Sequence, residues 1–104
     1  MRKAKVNISD HKLQDSSETL RALAHPLRLR ILEFIDQNGV VNVNKIYKSL
    51  KLEQSITSQH LRILRLAGLV VTIREGKFIH YKVDYDKVNN AVISIGRFAG
   101  RIAD

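Results

Sequence analysis

Residues 54–67 read QSITSQHLRILRLA and are followed at once by GLVVTIREGKFIHYKV, residues 68–83. The first run has helical spacing: Thr57, Leu61 and Leu64 fall on one side and should pack inward. Ser55, Ser58, Gln59 and Arg62 recur on the other side. That outward face is short, polar and rich in hydrogen-bonding groups, which is what the base edges of a DNA major groove require. The same pattern also suits an ordinary surface helix, so the residues after the helix decide between the two. Gly68 stands where a helix closes, and residues 69–73 read as a strand. Residues 74–77, Arg-Glu-Gly-Lys, then make a tight turn with glycine where positive φ is tolerated. Phe78 to Val83 returns as a second strand, with Phe78, His80 and Lys82 on one face and Ile79, Tyr81 and Val83 on the other. A basic-tipped hairpin directly after such a helix is a wing, able to reach phosphates or the minor groove while the helix lies in the major groove.

Working outward, Asn42 can cap a helix over Val43–Leu50, and Lys51-Leu52-Glu53 is the turn into the next one. Pro26 suits the first turn of a helix ending at Asn38-Gly39, with Leu27, Ile31, Phe34 and Ile35 as its core stripe. Asp15-Ser16-Ser17-Glu18 resembles a capping box opening a helix through Ala24, with Leu20 and Leu23 inward. Residues 1–9, basic and without periodicity, are expected to be a disordered arm, and residues 10–104 a single domain. The predicted fold is mainly α with a small β-hairpin, a winged helix-turn-helix dimerising through its terminal helices.

The last helix, from about residue 84 to 103, carries a second pattern. Tyr85, Val88, Val92, Ile95, Ala99 and Ile102 are spaced as a heptad-like seam. A domain this small already uses its central helices against one another, so the seam needs another surface. It either folds back on its own core or, as the favoured reading, joins a homodimer. Twofold closure would set two recognition helices one DNA turn apart, about 34–36 Å, facing a palindrome.

Charge supports an anionic partner. Of 104 residues, 18 are Lys or Arg and 10 Asp or Glu, a formal charge of +8. Between residues 37 and 83, eight basic side chains (Lys45, Lys48, Lys51, Arg62, Arg65, Arg74, Lys77, Lys82) face two acidic ones, Glu53 and Glu75, a net of +6. Neutralising phosphates with such residues releases condensed counterions, so double-stranded DNA is the expected partner. The chain has no cysteine, which excludes disulfides, thiol sensing and thiolate metal sites. Neither a signal-peptide core nor a membrane span is present, so no membrane association and a cytoplasmic location are expected. No activated nucleophile, glycine-rich phosphate loop or paired-carboxylate site argues for an enzyme.

The segments Leu23-Ala24-His25-Pro26-Leu27-Arg28-Leu29-Arg30-Ile31-Leu32, Ser58-Gln59-His60-Leu61-Arg62-Ile63-Leu64-Arg65, Ala67-Gly68-Leu69-Val70 and Arg74-Glu75-Gly76-Lys77 resemble the ArsR/SmtB transcriptional regulators in order and spacing. The resemblance spans about residues 20–83. It implies a dimeric repressor that sits on an operator and usually leaves when an effector binds. It places Gln54, Ser55, Thr57, Ser58, Gln59 and Arg62 at or near DNA, with the wing turn, hence Arg74 and Lys77, alongside. His80, facing out on the wing, is a further candidate for phosphate contact. Two departures are Lys51, where many members carry glycine, and Leu66, where a polar residue is usual. The sensing sites depart further. Asn42-Val43-Asn44 stands where many members have a Cys-x-Cys pair, and carboxamides do not replace thiolates for soft metals. The positions matching the C-terminal metal site read Tyr85, Lys87, Phe98 and Arg101, and no histidine follows His80. No metal or cofactor is therefore expected. His25 is expected to close the turn before Pro26 and His60 to be packed or hydrogen-bonded. His11 falls in or near the arm. A small-molecule effector, where one acts, would seat between the first and last helices near Tyr85, Val92 and Phe98. Two other readings stand beside the regulator: a winged-helix module for protein interaction, which predicts a neutral or acidic recognition face, and an architectural DNA binder without sequence preference.

Overall fold

A computed structural model describes residues 18–93. Helix α1 occupies residues 18–23, α2 Pro26–Asn38, α3 Val43–Leu50 and α4 Gln54–Leu66, and α5 is helical over residues 85–93. A three-stranded antiparallel sheet completes the domain, with β1 Val41–Asn42, β2 Val70–Glu75 and β3 Phe78–Val83 in the order β1-β3-β2. The arm at residues 1–9, residues 15–17 of the capping box, Phe98 and the seam residues Ile95, Ala99 and Ile102 lie outside the described residues.

Local chemistry accounts for most boundaries. His25 caps α2, its Nδ1 accepting from the Leu27 amide at 3.1 Å, with Pro26 in the first turn, where its missing N–H costs nothing. Asn42 Oδ1 accepts from Lys45 N at 2.9 Å and starts α3. At the end of α4, Gly68 N donates to Arg65 O and Leu69 N to Leu64 O, each at 3.0 Å, with Gly68 at φ +79°. This is a Schellman closure, with Leu64 and Leu69 both fully buried beside it. It turns the chain from α4 directly into β2. The hairpin loop is Gly76-Lys77, with Gly76 at φ +63°, where a type II′ turn needs glycine.

The core gathers Ala22 from α1, Ile31, Leu32 and Ile35 from α2, and Ile46 from α3. Leu61 and Leu64 from α4 join it, with Leu69 and Val70 after the turn and Val41 and Val83 from the sheet. Three expectations change. Leu20 is 45% exposed, and Thr19 and Ala22 take the inward places on α1. In α2 the buried stripe is Arg28, Ile31, Leu32 and Ile35, with Leu27 and Phe34 only half-buried. Strand β1 was not expected: two residues are too few to show alternation, and only pairing of Val41 with Tyr81 and of Asn42 with His80 reveals it.

Lys51, after α3, has φ 55° and ψ 49°, the left-handed region that penalises a Cβ. Its amide closes α3 through Lys48 O and Tyr47 O, so the conformation is held in place. Glycine, which the resemblance leads one to expect here, would meet this backbone requirement without a Cβ. Lys51→Gly should raise stability by about 0.5–1 kcal/mol, the ~1–2 kcal/mol of left-handed strain less glycine's extra chain entropy. Lys51→Ala should not, because its Cβ remains. Urea midpoints of the three proteins measure this, and equal midpoints for Gly and Ala would refute the strain.

Candidate nucleic-acid interface

Helix α4 has two chemically opposite sides. Thr57, Leu61 and Leu64 are fully buried, whereas Gln54, Ser55, Ser58, Gln59 and Arg62 are exposed. Thr57, which the resemblance places at or near DNA, is thus enclosed by the core and presents no surface to a ligand. Its hydroxyl donates to Glu53 O at 2.8 Å, tying the first turn of α4 inward. Glu53 occupies the N-cap without a side-chain hydrogen bond to the helix, so the first-turn amides are left to solvent or a ligand. Glu53, Gln54, Ser55 and Ser58 border an open concavity at this end. Helix N-termini of this kind favour anions.

The wing supplies the second basic element. Arg74 and Lys77 are exposed at its tip. Arg74 Nε donates to Gly76 O at 3.4 Å, and Lys77 Nζ lies 5.5 Å from the Phe78 ring centroid, so both cations stay close to the turn. His80 differs from expectation. Its side chain is 22% exposed, and Nε2 stands 3.4 Å from Glu75 Oε2, so this nitrogen is engaged within the hairpin. The contact becomes an ion pair only when the imidazole is protonated. Leu66, unexplained by the sequence, is exposed on the last turn of α4.

Helix α5 begins at an Asp84 cap, whose Oδ1 accepts from Lys87 N at 3.1 Å. Two residues expected in the dimer seam serve their own chain first. Val88 packs on the core. Tyr85, 52% exposed, donates from its hydroxyl to Asp36 Oδ1 at 2.5 Å and so fastens α5 to the end of α2. That hydrogen bond, then partial burial and the Asp36 charge, holds the Tyr85 hydroxyl above its ordinary pKa. Val92 and Ile93 remain exposed beyond this anchor. An open groove between the wing base and α5 is lined by Val71, Lys82, Val83, Asp84, Tyr85 and Asp86. Among the described residues no group of His, Cys, Asp and Glu could hold a metal ion.

Sequence reasoning gave no role to Arg28. The side chain is buried, with Nε donating to Ala22 O and Nη2 to Arg21 O, each at 2.7 Å, and Nη1 3.3 Å from His60 Nδ1. The signal was available: Arg28 falls three and four positions before Ile31 and Leu32, inside the apolar stripe of α2. His25 closes the turn before Pro26 as expected, and His60 is packed against it, with ring centroids 4.7 Å apart.

Comparison with known proteins agrees with this geometry. Residues 25–72 match the family model described as bacterial regulatory protein, arsR family. The transcriptional repressor PagR of Bacillus anthracis is 36% identical over 88 residues, covering 80% of this chain and 88% of that protein. The repressor SmtB of Mycobacterium tuberculosis is 32% identical over 91 residues, covering 88% of this chain and 67% of that protein. The crystal structure of PagR superposes with a TM-score of 0.70 at 33% identity, covering 84% of this chain and 99% of that one. A homodimeric winged helix-turn-helix DNA-binding domain from Mycobacterium bovis, solved by NMR, gives 0.72 at 26% identity and covers 93% of both chains.

Burial first, then the charges of His25 and Arg28, push His60 below the ordinary imidazole value. The unfolded chain therefore takes up this proton more readily than the folded one. The stability that neutral His60 contributes is complete above about pH 6.5 and is lost as pH falls toward the lowered folded value. Urea unfolding of wild type and His60→Asn at pH 7.5, 6.5 and 5.5 should show the wild type losing more stability on acidification. Parallel profiles would remove His60 as the titrating group.

Proposed function

The chain belongs to the ArsR family of bacterial regulatory proteins, and on that premise we propose that it is a dimeric repressor reading a palindromic operator through α4. The observation that carries this reading is the sidedness of α4. Its apolar stripe is consumed by the core, while Ser55, Ser58, Gln59 and Arg62 are exposed, as are the wing cations Arg74 and Lys77 that follow in the chain. Gln and Arg make bidentate contacts to adenine and guanine edges. The open N-terminus of α4 and the wing tip suit phosphates on either side of the groove. A protein-interaction module would need a neutral or acidic face, and this one is basic. A purely architectural binder would have no use for the Ser/Gln/Arg pattern.

Exposed apolar groups on the terminal helices, Leu20 on α1 and Val92 and Ile93 on α5, support association through these helices. The M. bovis relative is homodimeric. Ile95, Ala99 and Ile102 would continue the seam. The protein acts on DNA in the cytoplasm, and the known relatives are regulators rather than enzymes.

Sensing does not run through metal or thiol sites. The chain holds no cysteine, Asn42 and Asn44 stand at the thiolate pair, and no histidine follows His80. An effector would instead use the crevice between the terminal helices. It could shift DNA binding only by its differential affinity for two dimer geometries.

Titration of the upstream region of its own gene against a scrambled duplex, over a range of salt, should show specific and salt-sensitive binding by a dimer. Equal affinity for both duplexes would leave only the architectural reading. Gln59→Ala and Arg62→Ala should each cost roughly 1–3 kcal/mol and relax base preference. Lys77→Ala should weaken both duplexes alike and reduce the salt slope by about one. Calorimetry with zinc, nickel, cobalt and copper should detect no tight stoichiometric site, and metal-driven release of DNA would overturn the proposal on sensing.

A further inference from the structure

Arg28 is a buried cation with an unusual set of partners. Such a group ordinarily sits against a carboxylate. Here two arms of the guanidinium hold the carbonyls of Arg21 and Ala22, and the third points to His60 on α4. Carbonyls at a helix C-terminus carry partial negative charge, so the guanidinium serves as the C-terminal cap of α1. Its planar fork fixes the directions of all three contacts at once, which a flexible ammonium does not. His60 comes directly after Gln59 and lies two residues before Arg62, so whatever holds the imidazole holds the reading face of α4. Arginine can only donate, so His60 Nδ1 must accept, with any ring proton on Nε2.

We propose that Arg28 and His60 are positioning residues: their hydrogen bond locks the pose of α4 to the end of α1, and specific DNA binding depends on it although neither side chain contacts a base. The inference rests on α4 being the base-reading helix. Displacing α1 relative to α2 strains the fork and passes to α4 through His60. Protonating His60 removes the acceptor and sets a second cation beside Arg28. Among the described residues the titratable and charged groups acting on the ring are His25 and Arg28, from the cap and first turn of α2, while α1 contributes the carbonyl oxygens of Arg21 and Ala22 to the fork. His25 Nδ1 is already occupied as the acceptor from Leu27 N.

The test compares His60→Leu, which removes the acceptor, with His60→Asn, whose Oδ1 takes roughly the place of Nδ1 and cannot be protonated. Anisotropy titrations use the upstream duplex and its scrambled counterpart at pH 7.5 and 5.5. Thermal melting and sedimentation monitor fold and association. His60→Leu should remain folded and lose about tenfold or more in affinity for the upstream duplex, with little change for the scrambled one. His60→Asn should restore affinity to within about threefold, and its specificity should fall less than that of the wild type between pH 7.5 and 5.5. Arg28→Lys, which keeps the charge without the fork, should reproduce the loss of specificity. Wild-type specificity in His60→Leu would overturn the proposal, as would His60→Asn failing as badly as His60→Leu. A wild-type protein with no preference for the upstream duplex would remove both the reading of α4 and this inference, an outcome distinct from either variant result.

Discussion

Burial of the Thr57–Leu61–Leu64 stripe is the constraint on which the rest of the interface depends. Those three side chains are fully buried with Ile31 and Ile35 of α2 and Ile46 of α3. Removing one leucine side chain from such a site costs about 2–5 kcal/mol, a large share of what a domain of this size has in hand. The helix therefore has one rotational setting. Because side chains recur every 3.6 residues, fixing the inner stripe also fixes Ser55, Ser58, Gln59 and Arg62 outward. The Schellman closure at Gly68 extends this constraint to the wing. Leu69 is fully buried like Leu64, to whose carbonyl its amide donates, so the direction in which β2 leaves α4 is fixed.

The parts of this fold that were legible in the sequence are those set by neighbours in the chain. Helix α3 starts and ends where the Asn42 cap and the apolar spacing put it, β3 spans Phe78–Val83 as its alternation indicates, and α2 begins at Pro26. Caps, turns and periodicity act over a few residues, so they can be read without knowing the fold. What escaped depends on distant partners. Strand β1 exists because β3 passes beside it. Leu20 had the right spacing to be inward, but Thr19 and Ala22 face the core instead. Tyr85 fitted a heptad, yet its hydroxyl bonds to Asp36, 49 residues earlier. Thr57 was legible twice, as an inward residue by periodicity and as a DNA-facing one by resemblance, and packing upholds the first.

Arg28 shows a different limit. Periodicity places it in the buried stripe, but pattern reading treats an arginine there as a surface residue, since burying a guanidinium costs several kcal/mol unless it is fully hydrogen-bonded. The compensation comes from carbonyls in the last turn of α1: Ala22 O, and Arg21 O, which also accepts from Ala24 N at 3.3 Å. A helix end with acceptor capacity to spare meets a buried cation in need of acceptors. Nothing local to Arg28 announces that solution.

Helix α5 divides its residues between two tasks, and the division bears on how a signal could reach DNA. Its first turn is committed to the domain by the Asp84 cap, the Tyr85–Asp36 hydrogen bond and the packing of Val88. Beyond that turn, Val92 and Ile93 face away from the core. In the proposed dimer the outer part of α5 would belong to the interface and the inner part, anchored by Tyr85, to the reading domain. Weak anchoring of the first turn would let the two domains swing freely, and the spacing of two recognition helices would then be an average over many geometries. Firm anchoring makes that spacing a property of the interface alone. A ligand seated among the terminal helices then needs only to prefer one packing over another, and its largest effect on operator affinity equals that preference.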